Sequence, residues 1–406
     1  MRRMSEMHPT SNKEDVERPA TPNVTWSKNA SLQLLTNKLS AKAKAQLPRD
    51  ELSRAKAFGV LAPDAPPLKN LLERAPASLR AWMDEILVRR ESDAGINAYS
   101  IALGKNSRII AIYPQLHKVQ ILMSFAHQQF MYTWSPWLSK KLTGETLGPH
   151  TLDKGTERIR KLVEEYTESI GSLEEYDVVT RALRALDVGH TALPDLPPEI
   201  SHSLDHHAQT GALAGTAFVL AHEFAHHLLG HTKRGPQSQP APALSFLQER
   251  RTRLAQLGYT APDGHPTAHQ QELDADALAF LLVFGEGTAD EEGERLLDAA
   301  QGAFVALPSL ALAAAVAAER TFLDNDNDDS HPPFATRLKA IADLAHVISV
   351  QLQIPQDSSQ SPTAPRASPN DYFQQLYACQ EFLLILLRKS ELEITYNGAQ
   401  TPNIEN

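Results

Sequence analysis

Cysteine is nearly absent: the chain has one, Cys379. That excludes an intrachain disulfide framework and any zinc finger built on cysteines. It fits a reducing compartment, so a cytoplasmic setting is expected. Positive charge is also short, with 39 Lys and Arg against 49 Asp and Glu, a formal net charge of −10. A protein that tracks nucleic-acid phosphates needs a basic face, so no nucleic-acid partner is expected. Long apolar runs are missing. The longest are 212–221, 277–284 and 303–318, and Pro308 and Ser309 interrupt the third. A spanning helix needs about 20 apolar residues, so no membrane span is expected. Residues 1–12 carry basic side chains with no apolar run behind them, so no secretory signal is expected there. No repeat of 20–50 residues is visible.

What is present is ordinary globular composition, 42% apolar and 22% charged over 406 residues. Most of the patterning has helical period. Residues 31–47 carry Leu32, Leu34, Leu35 and Leu39 as a modest amphipathic helix. Residues 68–90 read as two helices, separated at Pro76, with Ile86 and Leu87 on the second. Residues 96–103 and 108–113 are short β-type runs around a Gly-Lys-Asn turn, a hairpin signal. Helices are expected over 119–134, 155–188, 201–231, 272–284 and 294–319, the last with a break or kink at Pro308, and over 371–388. Gly230 and Gly235-Pro236 stand where the 201–231 helix should stop.

The chemistry concentrates in His222-Glu223-Phe224-Ala225-His226, an H-E-x-x-H pattern. Histidines at i and i+4 share one helix face, one turn apart. Two neutral imidazoles so placed can chelate one zinc ion, and the intervening glutamate can serve as general base. Chance supplies about 0.04 such matches in a chain of this composition. Apolar residues flank the motif on both sides, so its polar side chains need partners. His227 and His231 lie here too, and a histidine-rich wet face is the competing structural reading.

A catalytic zinc usually has three protein ligands and one open position. Glu272 is the candidate third ligand, and Asp276, one turn further on, would accept the free ring N–H of a ligand histidine, His222 above all. Two surface carboxylates on a solvated helix are the bland alternative. His331, followed by Pro332-Pro333, and Arg337 are candidates to stabilise an oxyanion near the metal.

In that order the blocks His222–His226, Glu272-x-x-Ala275-Asp276 and His331-Pro332-Pro333-x-x-x-Arg337 resemble the HtpX / CAAX-prenyl-protease family of zinc metallopeptidases. The resemblance spans residues 95–345 and implies a gluzincin, in which two histidines and a glutamate hold zinc. Asn97-Ala98-Tyr99, with Gly104 and residues 108–113, is similar to that family's Asn-Ala-Phe-like strand, turn and second strand. It implies a strand that aligns an extended peptide by β-augmentation beside the zinc helix. Members such as HtpX are membrane-embedded, and this chain resembles the soluble relatives.

The expected fold is mainly α (α+β): a zincin-like core with an active-site helix and a small β-hairpin or sheet. The expected organisation is a flexible segment 1–50, a metallopeptidase domain 51–350 with a helical insertion at 119–211, a Ser/Pro linker 351–370, and a terminal helix and tail 371–406. The expected function is a zinc metalloendopeptidase with one Zn2+ per chain. Zinc would sit on His222, His226 and Glu272. Glu223 would be the base, with His331 and Arg337 at the oxyanion and Asp276 behind a ligand. The partner is a protein or peptide substrate. A regulatory protease that cuts one partner, and a non-catalytic zinc-stabilised interaction protein, are the alternatives. Weaker signals are an acidic loop, 324–329, that fails the EF-hand pattern at its sixth and twelfth positions, and the His202/His206 pair with His207 beside it.

Overall fold

The computed structural model describes residues 26–27, 49–61, 65–91, 97–103, 107–141, 152–169, 206–232, 241–286, 289–317, 331–332, 334–352, 378–379 and 382. In chain order the elements are β1 (Trp26–Ser27), α1 (Arg49–Phe58), β2 (Val60–Leu61), α2 (Pro66–Arg74), α3 (Ala77–Met83), β3 (Leu87–Arg90), β4 (Ala98–Leu103), β5 (Ser107–Ile112), α4 (Pro114–Lys141), α5 (Leu152–Ser169), α6 (His206–Leu229), α7 (Leu244–Ala255), α8 (Thr267–Phe284), α9 (Ala289–Ala317) and α10 (Phe334–Leu352). The protein is mainly helical with one small sheet, as its sequence pattern predicts.

The sheet runs β1-β2-β3-β5-β4. β3 and β5 are parallel, and the remaining pairs are antiparallel. β4 and β5 are the anticipated hairpin, with Ser100 opposite Ile110 and Ile101 opposite Ile109. Every described side chain of β5 from Ile109 to Ile112 is buried, so the strand is covered on both faces. Val88, Ala98, Ile110 and Ile112 join the main helical core. On the opposite face Arg89 is fully buried and pairs with Glu91 at 2.7 Å, while Tyr99 donates to the same carboxylate oxygen at 2.5 Å. Burial, then that carboxylate, push the Tyr99 phenol up to about 12. These contacts tie β4 to β3 across the central strand.

Residues 87–90 are a correction to the sequence reading, which placed Ile86 and Leu87 on a helix. α3 ends at Met83, a turn follows, and Leu87 opens β3. Three adjacent apolar residues, Ile86-Leu87-Val88, suit a buried strand as well as a helix, and the pairing with Ile109 and Ile110 decides it. α4 contains Pro136 and α9 contains Pro308, where the sequence suggested a break or kink in α9; both helices continue past their proline. Trp26 and Ser27, within the segment expected to be flexible, pair with Leu61 and Val60. The anticipated helix 31–47, His202, the acidic loop 324–329 and residues 353–370 of the anticipated linker lie outside the described residues, while residues 351 and 352 close α10. Of the terminal helix, Ala378, Cys379 and Phe382 are described and buried, with Phe382 against Phe130 and Tyr166. Among the described residues no helix is long and apolar enough to cross a membrane.

α6 is the central element, packed on α2, α4, α8 and α9. It is apolar nearly all round, as a helix enclosed by others must be. Its close approach to α9 depends on missing side chains. A Cβ at Gly302 would stand 2.7 Å from the Ala214 carbonyl oxygen, and one at Gly215 would stand 2.8 Å from Val305 Cγ1. Gly302→Ala should therefore cost about 1–3 kcal/mol through forced separation of backbones. Gly293→Ala, in the same helix with open space around it, should stabilise by about 0.5–1 kcal/mol. Denaturant melts of both variants check this, and equal effects would contradict the packing argument.

Candidate metal centre

Three helices supply the centre. α6 carries His222, Glu223 and His226, and α8 carries Glu272 and Asp276. α10 carries Arg337 in its first turn. His222 Nε2 and His226 Nε2 face each other at 3.0 Å. Glu272 turns Oε2 to His222 and Oε1 to His226, each at 3.3 Å. These are the described side chains that could together hold a metal ion. The spacing fits one small ion: ligand atoms placed tetrahedrally at about 2.0–2.1 Å from a centre stand about 3.3 Å apart. Two imidazoles and a carboxylate are also the donor chemistry that zinc accepts.

Behind this face the charges are paired in sequence. His222 Nδ1 stands 2.9 Å from Asp276 Oδ1, a close polar contact that falls short of a well-aligned hydrogen bond. Asp276 has no exposure, and Arg337 clasps it with two bonds of 2.7 Å from Nε and Nη2. The same Nη2 stands 3.7 Å from Glu272 Oε2. Burial works against charge on every one of these groups, and the neighbours outweigh it. Asp276 and Glu272 push His222 up to about 10. Arg337 and His222 hold Asp276 below the ordinary carboxylate range. His222, His226 and Arg337 do the same for Glu272. Arg337 is raised in turn, chiefly by Asp276.

Glu223 is buried on the same helix turn, and its charge is felt at Arg337. His331 sits at the rim, its side chain 52% exposed, with Nε2 3.9 Å from Glu272 Oε1. Every residue anticipated for the site thus lies within one neighbourhood. Arg337, anticipated at an oxyanion, has its guanidinium committed to Asp276.

The sequence reading left His227, His231 and Thr232 without roles. Gly230 ends α6 with φ 78, and the chain folds back over the last helical turn. His231 Nδ1 then meets His226 Nδ1 at 3.1 Å, and Thr232 Oγ1 meets His227 Nδ1 at 3.0 Å. His227 Nε2 stands 3.0 Å from the Ile109 carbonyl of β5. A carbonyl only accepts, so His227 carries its proton on Nε2 and accepts from Thr232 at Nδ1. Burial pushes His227 down to about 4, which keeps it neutral. This bridge ties the motif helix to the sheet. The only sequence signal for it was a glycine at the helix end followed by two polar residues.

Residues 190–352 match the model of a family described as Peptidase U49. The matched stretch contains α6, α8 and α10, and so every side chain of the centre; the sheet lies outside it. The match supports a peptidase family in general and does not single out the HtpX / CAAX branch. Comparison with curated proteins and with solved structures gives no match.

Removing one member of a buried charge pair leaves the other stranded. Arg337→Ala should therefore cost about 3–5 kcal/mol of stability. Lys339→Ala, which breaks the exposed pair with Asp343 one turn away, should cost under about 1 kcal/mol. Equal losses in urea denaturation would mean that the Arg337–Asp276 pair is not the support described.

Proposed function

We propose that this protein is a zinc-dependent endopeptidase, soluble and cytoplasmic, that hydrolyses peptide bonds of a protein substrate. The observation that carries the reading is the convergence of His222, His226 and Glu272 from two helices to mutual distances of 3.0 and 3.3 Å. The Peptidase U49 match over the same helices and the resemblance to the HtpX / CAAX-prenyl-protease pattern support it. In this reading His222, His226 and Glu272 hold the ion. When bound, zinc supplies the Lewis acidity that acidifies a water and polarises a peptide carbonyl.

The chain's own groups do the rest. Glu223 takes the proton of the attacking water and passes it to the leaving amine. His331, at the rim, donates to the carbonyl oxygen as that oxygen gains charge. Arg337 acts through its neighbours: it keeps Asp276 ionised, and Asp276 holds the His222 ring in one orientation. The intact base beside the ligands favours a hydrolase over a structural zinc site.

β4 is the surface for an extended peptide. Tyr113 N–H donates to Asn97 O at 3.0 Å, which sets the phase of the hairpin. In that phase Asn97, Tyr99 and Ile101 turn their backbone groups to β5, and Ala98, Ser100 and Ala102 turn theirs outward. Asn97 Oδ1 accepts the outward Ala98 N–H at 2.8 Å. Ser100 and Ala102 remain, on an edge that no described strand pairs with and that packs beside α6. A substrate strand adds there, beside the helix that carries His222 and His226.

Glu223→Gln should bind zinc as the wild type does and lose about 10²–10⁴-fold in turnover on a cleaved protein substrate. Full activity in that variant would remove Glu223 from the mechanism. Zinc uptake should also release protons. With its pKa raised to about 10, His222 keeps its proton in the metal-free protein at neutral pH, and the ion must displace it. Affinity should rise about tenfold per pH unit from neutrality and level off near the His222 pKa. Calorimetry in buffers of different ionisation enthalpy measures the release, and none at pH 7 would contradict the His222 assignment.

A further inference from the structure

We propose that His231 is a positioning residue of the centre: its Nδ1 accepts the Nδ1–H of His226 and so aims His226 Nε2 at the metal. The inference rests on the zinc reading above and extends it to a residue that neither the motif nor the family match assigns a role.

The backbone brings the two rings together. Gly230 takes φ 78, a conformation that side-chain-bearing residues rarely adopt. The reversal lets His231 N–H donate to the His226 carbonyl at 2.9 Å. The two rings then meet edge to face at 69°, with their centroids 5.2 Å apart and their Nδ1 atoms 3.1 Å apart.

The chemistry of that contact has one solution when the site is loaded. A neutral imidazole carries one N–H. If His226 gives Nε2 to the ion, its proton is on Nδ1. The facing Nδ1 of His231 must then be the acceptor, with the His231 proton on Nε2. His231 is not a further ligand, because the nitrogen it presents meets the face of His226 turned away from Glu272 and His222. The arrangement repeats, with a neutral partner, what Asp276 does for His222. Each ligand histidine thus has its far nitrogen close against a polar partner, Asp276 at 2.9 Å and His231 at 3.1 Å, and such partners set ring orientation.

The test is zinc affinity of the full-length protein, measured by competition with a chromophoric chelator. The variants are His231→Ala, His231→Asn and His231→Gln, with His222→Ala as the control for the site itself. Asn places its Oδ1 acceptor where His places Nδ1, whereas Gln places its acceptor one bond further out. His231→Ala and His231→Gln should weaken binding about 10–100-fold. His231→Asn should stay within about threefold of wild type. A purely structural role would not separate Asn from Gln at equal thermal stability. Equal weakening by all three variants, or wild-type affinity in His231→Ala, overturns the proposal. If His231→Ala does not fold, the Asn and Gln variants still decide. A wild type that binds no zinc, or a His222→Ala that binds as wild type, overturns the zinc reading itself and the inference with it, a pattern unlike the other two.

Discussion

The structure depends on one constraint: a carboxylate with no exposure must have its charge answered on every side. Asp276 is that carboxylate. Left alone it would cost several kcal/mol of desolvation. Arg337 answers it with two bonds from α10, and His222 answers it from α6. Because the three groups come from three helices, satisfying the charge also sets where the helices stand. Glu272, one turn before Asp276 on α8, is thereby carried to the two imidazoles. The ligand geometry is a consequence of how a buried charge is paired.

The surrounding packing keeps that arrangement narrow. Glycines let α6 and α9 approach until backbone meets backbone, and the core leaves α6 little room to rotate. At its far end the motif helix is held to the sheet by His227, which reaches the Ile109 carbonyl. Within the sheet, Tyr99 of β4 and Arg89 of β3 meet on Glu91 across β5. The side chains that could hold a metal ion and the edge of β4 that no described strand pairs with are therefore parts of one connected body. A hydrolytic centre needs this, since misplacement by about 1 Å can cost about 10²-fold in rate.

Much of this was legible in the residues. The i, i+4 spacing of His222 and His226 put both rings on one face, and Glu272 and Asp276 at the same spacing projected together. The hairpin followed from two β-type runs around a turn. Other parts were not legible, for physical reasons. Ile86-Leu87-Val88 suits either period, and long-range pairing with β5 made it a strand. Arg337 looked like an oxyanion donor because its sequence position says nothing about Asp276 lying closer. His231 looked like one histidine of a wet face, since its role comes from a left-handed turn at Gly230.

The central claim is that His222, His226 and Glu272 share one zinc ion. X-ray absorption at the zinc edge, on protein given one equivalent of zinc, tests it most directly. Two imidazole nitrogens and oxygen donors at about 2.0–2.2 Å are expected, with the imidazole signature lost in His222→Ala. An ion surrounded by water oxygens alone, or a spectrum indifferent to His222, would contradict it.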